Sequence, residues 1–296
     1  MLDYKLLDAL QAVLAEGSFE KAARVLCITP SAVSQRIRQL EERFGQMLLV
    51  RSTPVRATAA GHRLLRHVRQ VGVLEGELES ELTEEAGDGW MTLPIAVNAD
   101  SLASWFLDAV TDVALRERLL MQMTLDDEGH TLTLLKNGDV IGCVTSADTP
   151  PTGCVSERLG VMRYRCIATP DFAARYFADG VDRRQFTRAP AVIFNRRDTM
   201  HLGFLESRYG IGPADFPHSI VPSVPSLLDV VCAGIGYGLT PELQVASLLA
   251  SGELVDLLPD VPPQVTLHWH CWALQAPRLA RFSGALVAEA RARLVP

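Results

Sequence analysis

Apolar positions recur at helical spacing through the amino-terminal part of the chain, and beyond it they fall into short runs separated by polar, glycine-containing turns. Leu6, Leu7, Leu10, Val13 and Leu14 form a first stripe that stops at Gly17. Ser18 caps a second, short helix with Phe19, Ala22, Ala23 and Leu26 inside, and the small Ala22-Ala23 pair lets two steeply crossing helices approach. After a turn at Cys27-Ile28, Thr29 caps a third helix, Pro30 suits its first position and Gly45 its stop. Val33, Ile37, Leu40 and Phe44 make its apolar stripe, while Ser31, Ser34, Gln35 and Arg38 share the opposite side. Three helices with a tight turn between the second and third predict a helix-turn-helix.

The polar row has the groups that base edges require, since Gln can bridge adenine, Arg can clamp guanine and Ser can serve either. An ordinary amphipathic helix with a solvated face has the same pattern. Met47–Val50, the Pro-broken Arg51–Arg56 and Ala57-Thr58 read as a two-stranded wing, with Arg51 and Arg56 near phosphate or the minor groove, or else solvated. From Thr58 to about Glu85 one long helix is predicted. Leu64, Val68, Val71, Leu78 and Leu82 form a seam that suits pairing with a second copy or packing on the chain's own body. Residues 84–89 are a polar hinge, which divides the chain into 1–58, a linker helix 59–88, and a body 89–296.

In the body, strands and helices alternate, which predicts an α/β architecture of two similar lobes. Leu93–Asn98 reads as a strand that runs into a helix start at Asp100, and the free N–H groups there favour a carboxylate. Further strands are expected at Leu119–Leu125, Val140–Thr145, Met162–Ala168, Ala191–Phe194, Ile220–Ser223, Ile235–Pro241, Gly252–Pro259 and Val265–Leu274, with a closing helix at Ala280–Leu294. The Gly-x-Gly at 236–238 lacks a third glycine and suits close packing or a hinge better than a nucleotide.

Charge changes the picture of the amino-terminal part. The whole chain of 296 residues is −7, yet residues 1–70 carry 11 basic and 6 acidic side chains, leaving 17 basic and 29 acidic for the rest. A +5 head on a −12 body separates a phosphate-seeking surface from one that prefers a cation. With 48% hydrophobic residues, no apolar run long enough for a membrane span and no leader, the chain reads as a globular cytoplasmic protein. Its six scattered cysteines suggest neither a zinc site nor a disulfide framework. His268 and His270 share a strand face without a third ligand, so an aromatic wall is a better account than a metal, and no catalytic residue or cofactor is expected.

Gly17-Ser18-Phe19, Ala22-Ala23, Leu26, Thr29, Ser31–Gln35, Ile37, Leu40-Glu41, Gly45, Leu49, Arg51, Thr58 and Gly61 together resemble the amino-terminal signature of the LysR-type transcriptional regulators. The resemblance implies a winged helix-turn-helix head, a dimerising linker helix and a periplasmic-binding-protein-like effector domain, assembled as a dimer or tetramer. Asn98–Ala103, Gly138–Gly142, Ser251–Leu254 and Trp269-His270 are similar to a narrower branch, the ArgP/LysG regulators. That likeness implies control of basic amino-acid export with lysine or arginine as effector, and some members are described as chromosome replication initiation inhibitors. Promoter DNA, a small-molecule effector, further copies of the chain and RNA polymerase are the expected partners.

Thr29, Ser31, Ser34, Gln35, Arg36, Arg38, Arg51 and Arg56 are the candidate DNA contacts. Asn98, Asp100, Ser101, Asp126, Thr145, Ser146, Asn195, Asp198 and Trp269 are the candidate effector contacts, with Asp127 and Glu128 as further acids; Arg196 and Arg197 oppose a cationic ligand. Two other functions remain open: a ligand-independent architectural or replication-origin binder, and an enzyme carrying a DNA-binding head.

Overall fold

The computed structural model describes residues 2–82, 89–125 and 128–296. The head opens with α1 (Tyr4–Glu16), α2 (Phe19–Val25) and α3 (Pro30–Phe44), each beginning where a side chain accepts from a free backbone N–H. Asp3 caps α1, Ser18 caps α2 and Thr29 caps α3, which ends at Gly45 in the left-handed conformation with φ 61°. Leu10, Val13, Ala22, Val33, Ile37 and Leu40 from the three helices form one core. The wing is a short antiparallel pair, β1 (Leu49–Val50) and β2 (Arg56–Ala57). Its approach is fixed by Glu41, whose Oε1 accepts from the backbone N–H groups of Leu48 at 2.8 Å and Leu49 at 3.4 Å.

The linker helix α4 (Ala59–Leu82) packs on the chain's own head and body. Leu64 packs into the head, and polar groups further along bind the chain's own body. Arg66 donates to the Thr152 carbonyl, Arg69 pairs with Asp139 at 3.0 Å and also donates to the Gly138 carbonyl, and Arg278 lies 3.7 Å from Glu77. Leu78 and Leu82 stay 54% and 77% exposed, so an apolar ridge is left pointing outward. The hinge expected after it lies largely outside the described residues, as does Asp126 with Asp127.

The body continues with β3 (Met91–Val97), α5 (Ala99–Ser101), a π-helical turn (Leu102–Phe106), α6 (Leu107–Arg116), β4 (Leu119–Leu125), α7 (Glu128–Asn137), β5 (Gly142–Thr145) and β6 (Cys154–Ala168). β3 lies parallel to β4 and β5, with a helix between successive strands. A second lobe follows: α8 (Pro170–Tyr176), α9 (Arg183–Arg188), β7 (Ala191–Ile193), α10 (Thr199–Tyr209), β8 (His218–Ile220), α11 (Val224–Cys232), β9 (Gly238–Pro241), α12 (Glu242–Ser251) and β10 (Val255–Asp256). The chain then returns to the first lobe as β11 (Gln264–Trp272) and closes with α13 (Pro277–Arg293).

β6 belongs to both lobes. Residues 154–163 pair with β11, whereas Tyr164–Ile167 pair with β9 and Ile167–Ala168 with β10. Reading 162–168 as the strand misses its first half, where Gly160 sits at φ 144° and the register with β11 shifts. The strand expected over 252–259 shrinks to two residues, and α9, α10 and α12 were not expected from the sequence. Trp105, Phe106, Trp269, Trp272 and Phe282 anchor the first core; Phe172, Phe177, Phe186 and Tyr237 form a ring cluster in the second. No helix of the described residues is long and apolar enough to cross a membrane.

Candidate functional site

Two surfaces concentrate unused polar chemistry. On the head, Ser31, Gln35 and Arg38 are exposed and Ser34 half-buried along one side of α3, because burial of Val33, Ile37 and Leu40 turns that side outward. Ser31 and Ser34 border a hollow of about 350 Å³ that also meets Arg51 and Ser52 of the wing. The Arg51 guanidinium lies 6.0 Å from the Phe19 ring centre, and Arg56 is exposed beside it on the neighbouring wing strand. Thr29 is mainly a cap, its Oγ1 accepting from the Ala32 N–H at 3.2 Å and lying 2.9 Å from the Ser31 hydroxyl. Arg36 departs from the expectation: it points back to α1, where Nη1 donates to the Lys5 carbonyl at 3.4 Å. Its place on the helix lies beside the core stripe, a quarter-turn or more from the outer row.

The second surface is a cavity of about 560 Å³ between the lobes. Asn98, Ala99 and Asp100 at the start of α5 form its first-lobe wall, joined by Leu125 and by Tyr164 of the crossing strand. Asp198, Thr199 and His201 at the start of α10, Val224 at the start of α11, and Thr240 at the end of β9 form the opposite wall. Three helix amino termini therefore meet one space, and the positive end of each helix dipole favours an anionic group there.

Asp100 accepts the Tyr164 hydroxyl at 2.7 Å, which aims its carboxylate across the cavity wall. The Asp198 oxygens accept from the backbone N–H groups of Phe194 at 3.0 Å and His201 at 2.8 Å, so this residue holds the 194–201 turn as well as supplying charge. Asn195 is similarly engaged, with Oδ1 accepting from the Arg197 N–H at 2.6 Å. Arg197 lines the cavity from an exposed position, while Arg196 is exposed outside it. The cavity thus sees two carboxylates and one guanidinium, a set matched to a zwitterion with an additional cation.

Several expected contacts lie elsewhere. Ser101 is fully buried one residue beyond the cavity wall. Thr145 is buried with its Oγ1 accepting from the Ala147 N–H at 3.2 Å, and Ser146 is exposed outside the cavity. Trp269 belongs to the first core: its Nε1 donates to Ser283 at 3.1 Å, and its ring fills the space where a Cβ on Gly142 would lie. Residues that sequence reasoning missed include Tyr164, His201, Leu227 and Thr240, all on the cavity wall. Burial pushes the His201 imidazole down to about 4, opposed by Asp198 and reinforced by His218. No group of three or more metal-binding side chains occurs among the described residues, and the His268 and His270 ring centres are 6.1 Å apart.

Residues 4–62 match the family described as bacterial regulatory helix-turn-helix protein, lysR family, and residues 92–291 match the LysR substrate binding domain. The chain belongs to the LysR family of transcriptional regulators. Among the relatives of this LysR regulator, the HTH-type transcriptional regulator ArgP of Aeromonas salmonicida is 41% identical, covering 100% of this chain and 99% of its own. ArgP of Pseudomonas aeruginosa is 43% identical over 100% of this chain and 98% of its own. ArgP from Mycobacterium tuberculosis superposes with a TM-score of 0.89 at 38% identity, covering 100% of this chain and 99% of that one. Full-length LysG from Corynebacterium glutamicum with bound effector Arg gives 0.84 at 37% identity, with both chains covered completely. The LysR regulator therefore sits among the ArgP and LysG proteins along its whole length, and α3 lies within the matched helix-turn-helix segment.

Proposed function

We propose that this LysR-family regulator senses a basic amino acid, arginine or lysine, in the interlobe cavity and thereby controls genes for basic amino-acid export or metabolism. The observation that carries the reading is the Asp100 carboxylate, aimed by Tyr164 into a cavity formed where three helices begin. The helix starts suit the effector's carboxylate and the acid suits its amines. The bound arginine of the LysG relative supports the same class of ligand.

On the DNA side, Ser31, Ser34, Gln35 and Arg38 are assigned to base edges, and Arg51 and Arg56 to phosphate or the minor groove. The exposed Leu78–Leu82 ridge of α4 pairs two copies, setting the spacing of two recognition helices along a pseudo-palindromic site. Ligand changes how such dimers pack and so the bend of promoter DNA, which is then presented to RNA polymerase.

Calorimetric titration of the purified full-length protein with L-lysine and L-arginine tests the reading. Binding of either is expected, with loss in Asp100→Asn, which keeps an oxygen for Tyr164 but removes the charge. Normal binding by Asp100→Asn refutes the assignment of that carboxylate, and a DNA footprint at AT-rich repeats unchanged by any amino acid favours a ligand-independent architectural role.

A further inference from the structure

Two side chains on the second-lobe wall are buried, polar and unused. The Thr240 hydroxyl is 1% exposed and the His201 ring 2% exposed, and neither Thr240 Oγ1 nor His201 Nε2 has a hydrogen-bond partner among the described residues. Both residues line the interlobe cavity. Buried polar atoms are nearly always satisfied, so a pair left open on one cavity wall marks where a ligand completes the bonding.

The surroundings select the kind of ligand group. The His201 ring is fixed, stacked at 14° on Phe216 with centres 6.3 Å apart, and 5.4 Å from the Tyr237 ring. Asp198 caps its helix, Asp100 faces it across the cavity, Arg197 stands at the exposed rim, and His218 lies behind. Burial keeps the imidazole neutral, so one ring nitrogen remains an acceptor, and a threonine hydroxyl accepts as well. Leu227, Leu239 and Met200 beside them offer an apolar channel suited to a methylene chain. The Thr240 hydroxyl and the imidazole can each donate or accept, so charge decides: the Asp100 and Asp198 carboxylates on the cavity wall favour a cationic group rich in N–H donors at the end of such a chain.

Resting on the cavity being the effector site, we propose that His201 and Thr240 form the seat for the distal, cationic end of the effector, a guanidinium or ammonium, with His201 Nε2 and Thr240 Oγ1 accepting its N–H groups. The effector's carboxylate then lies toward Arg197 at the exposed rim and the start of α11, away from the His201 end of the cavity. The pair is thus a specificity determinant that distinguishes basic amino acids from those with short or apolar side chains.

The test is calorimetry of the full-length protein with L-arginine and with L-argininamide, which retains the guanidinium and lacks the carboxylate charge. His201→Leu and Thr240→Val are each expected to weaken L-arginine binding about tenfold or more, to weaken argininamide by the same factor, and to recover in Thr240→Ser. Loss for arginine alone, with argininamide unaffected, overturns the proposal by moving the pair to the carboxylate end. Undiminished arginine binding by both variants also overturns it; the cavity reading survives that result if Asp100→Asn still loses binding, and falls with it if no variant does. A second measurement guards against a misfolded variant. In the unmutated protein, the His201 imidazole ¹⁵N resonances, assigned by their absence in His201→Leu, are expected to move on adding arginine while keeping a neutral pattern, and unmoved resonances contradict the proposal.

Discussion

Arg36 and Arg38 stand two residues apart on one helix and face different tasks. Arg38 is exposed on the outer row, whereas Arg36 donates to the Lys5 carbonyl. Replacing Arg38 with alanine is expected to cost about 1–3 kcal/mol against the specific site and much less against random DNA, read by titration on both. The same change at Arg36 is expected to leave base preference unaltered; a shift in preference contradicts its placement. Trp269 gives a second contrast, since a tryptophan beside histidines invites a ligand role yet is fully buried against Phe282 and Gly142. Trp269→Ala is expected to lose about 3–5 kcal/mol of stability in denaturant unfolding, and a near-neutral result refutes a core role. The outer row of α3 was legible because a helix stripe has one period and one opposite side. His201 and Thr240 were not, because a single buried polar residue carries no periodic signal and acquires its meaning only from a cavity that the fold creates.

At the scale of elements, caps and stripes marked the head almost completely, since Ser18, Thr29 and Gly45 each act within one turn. The second lobe was harder to read. β6 is one strand shared by two lobes, and the helices α9 and α10 start on Asp182 and Asp198 rather than on an apolar stripe. The lobes also touch directly: Gln244 of α12 donates to the Ala103 carbonyl at 2.9 Å, within the π-helical turn that follows the cavity wall of α5. A π turn shifts the i to i+4 ladder and leaves carbonyls free for such use. Gln244→Ala is expected to raise hydrogen exchange at 102–106 without unfolding either core, and unchanged exchange there means that the contact does not hold the lobes. On α4, Leu78→Asp is expected to shift sedimentation toward the monomer, while an unchanged oligomer places the pairing elsewhere.

For the molecule as a whole, acid should act on both lobes. Burial pushes His201 and His270 down to about 4 each, with His268 further lowering His270, and His268 is itself lowered. Because these folded values lie below the unfolded value of about 6.5, the unfolded state binds protons first. Their stabilisation is therefore complete above about 6.5 and is lost as pH falls toward 4, so the thermal midpoint is expected to drop over that window, with a shallower fall in His270→Phe. Equal slopes for the two proteins exclude His270 as a cause. The division into a basic head and an acidic body was legible from charge alone, and it agrees with the exposed polar row of α3 in the head and the two cavity carboxylates in the body. The position of the cavity was not, because residues from 98 to 240 meet there only after β6 has crossed between the lobes. The most direct test of the whole account is a thermal-shift titration of the full-length protein against the free amino acids. A ligand at about 100 times its Kd adds roughly 2.7 kcal/mol of stability. Stabilisation confined to lysine and arginine, and abolished in Asp100→Asn, is the predicted result; stabilisation by neither, or an equal response in Asp100→Asn, contradicts it.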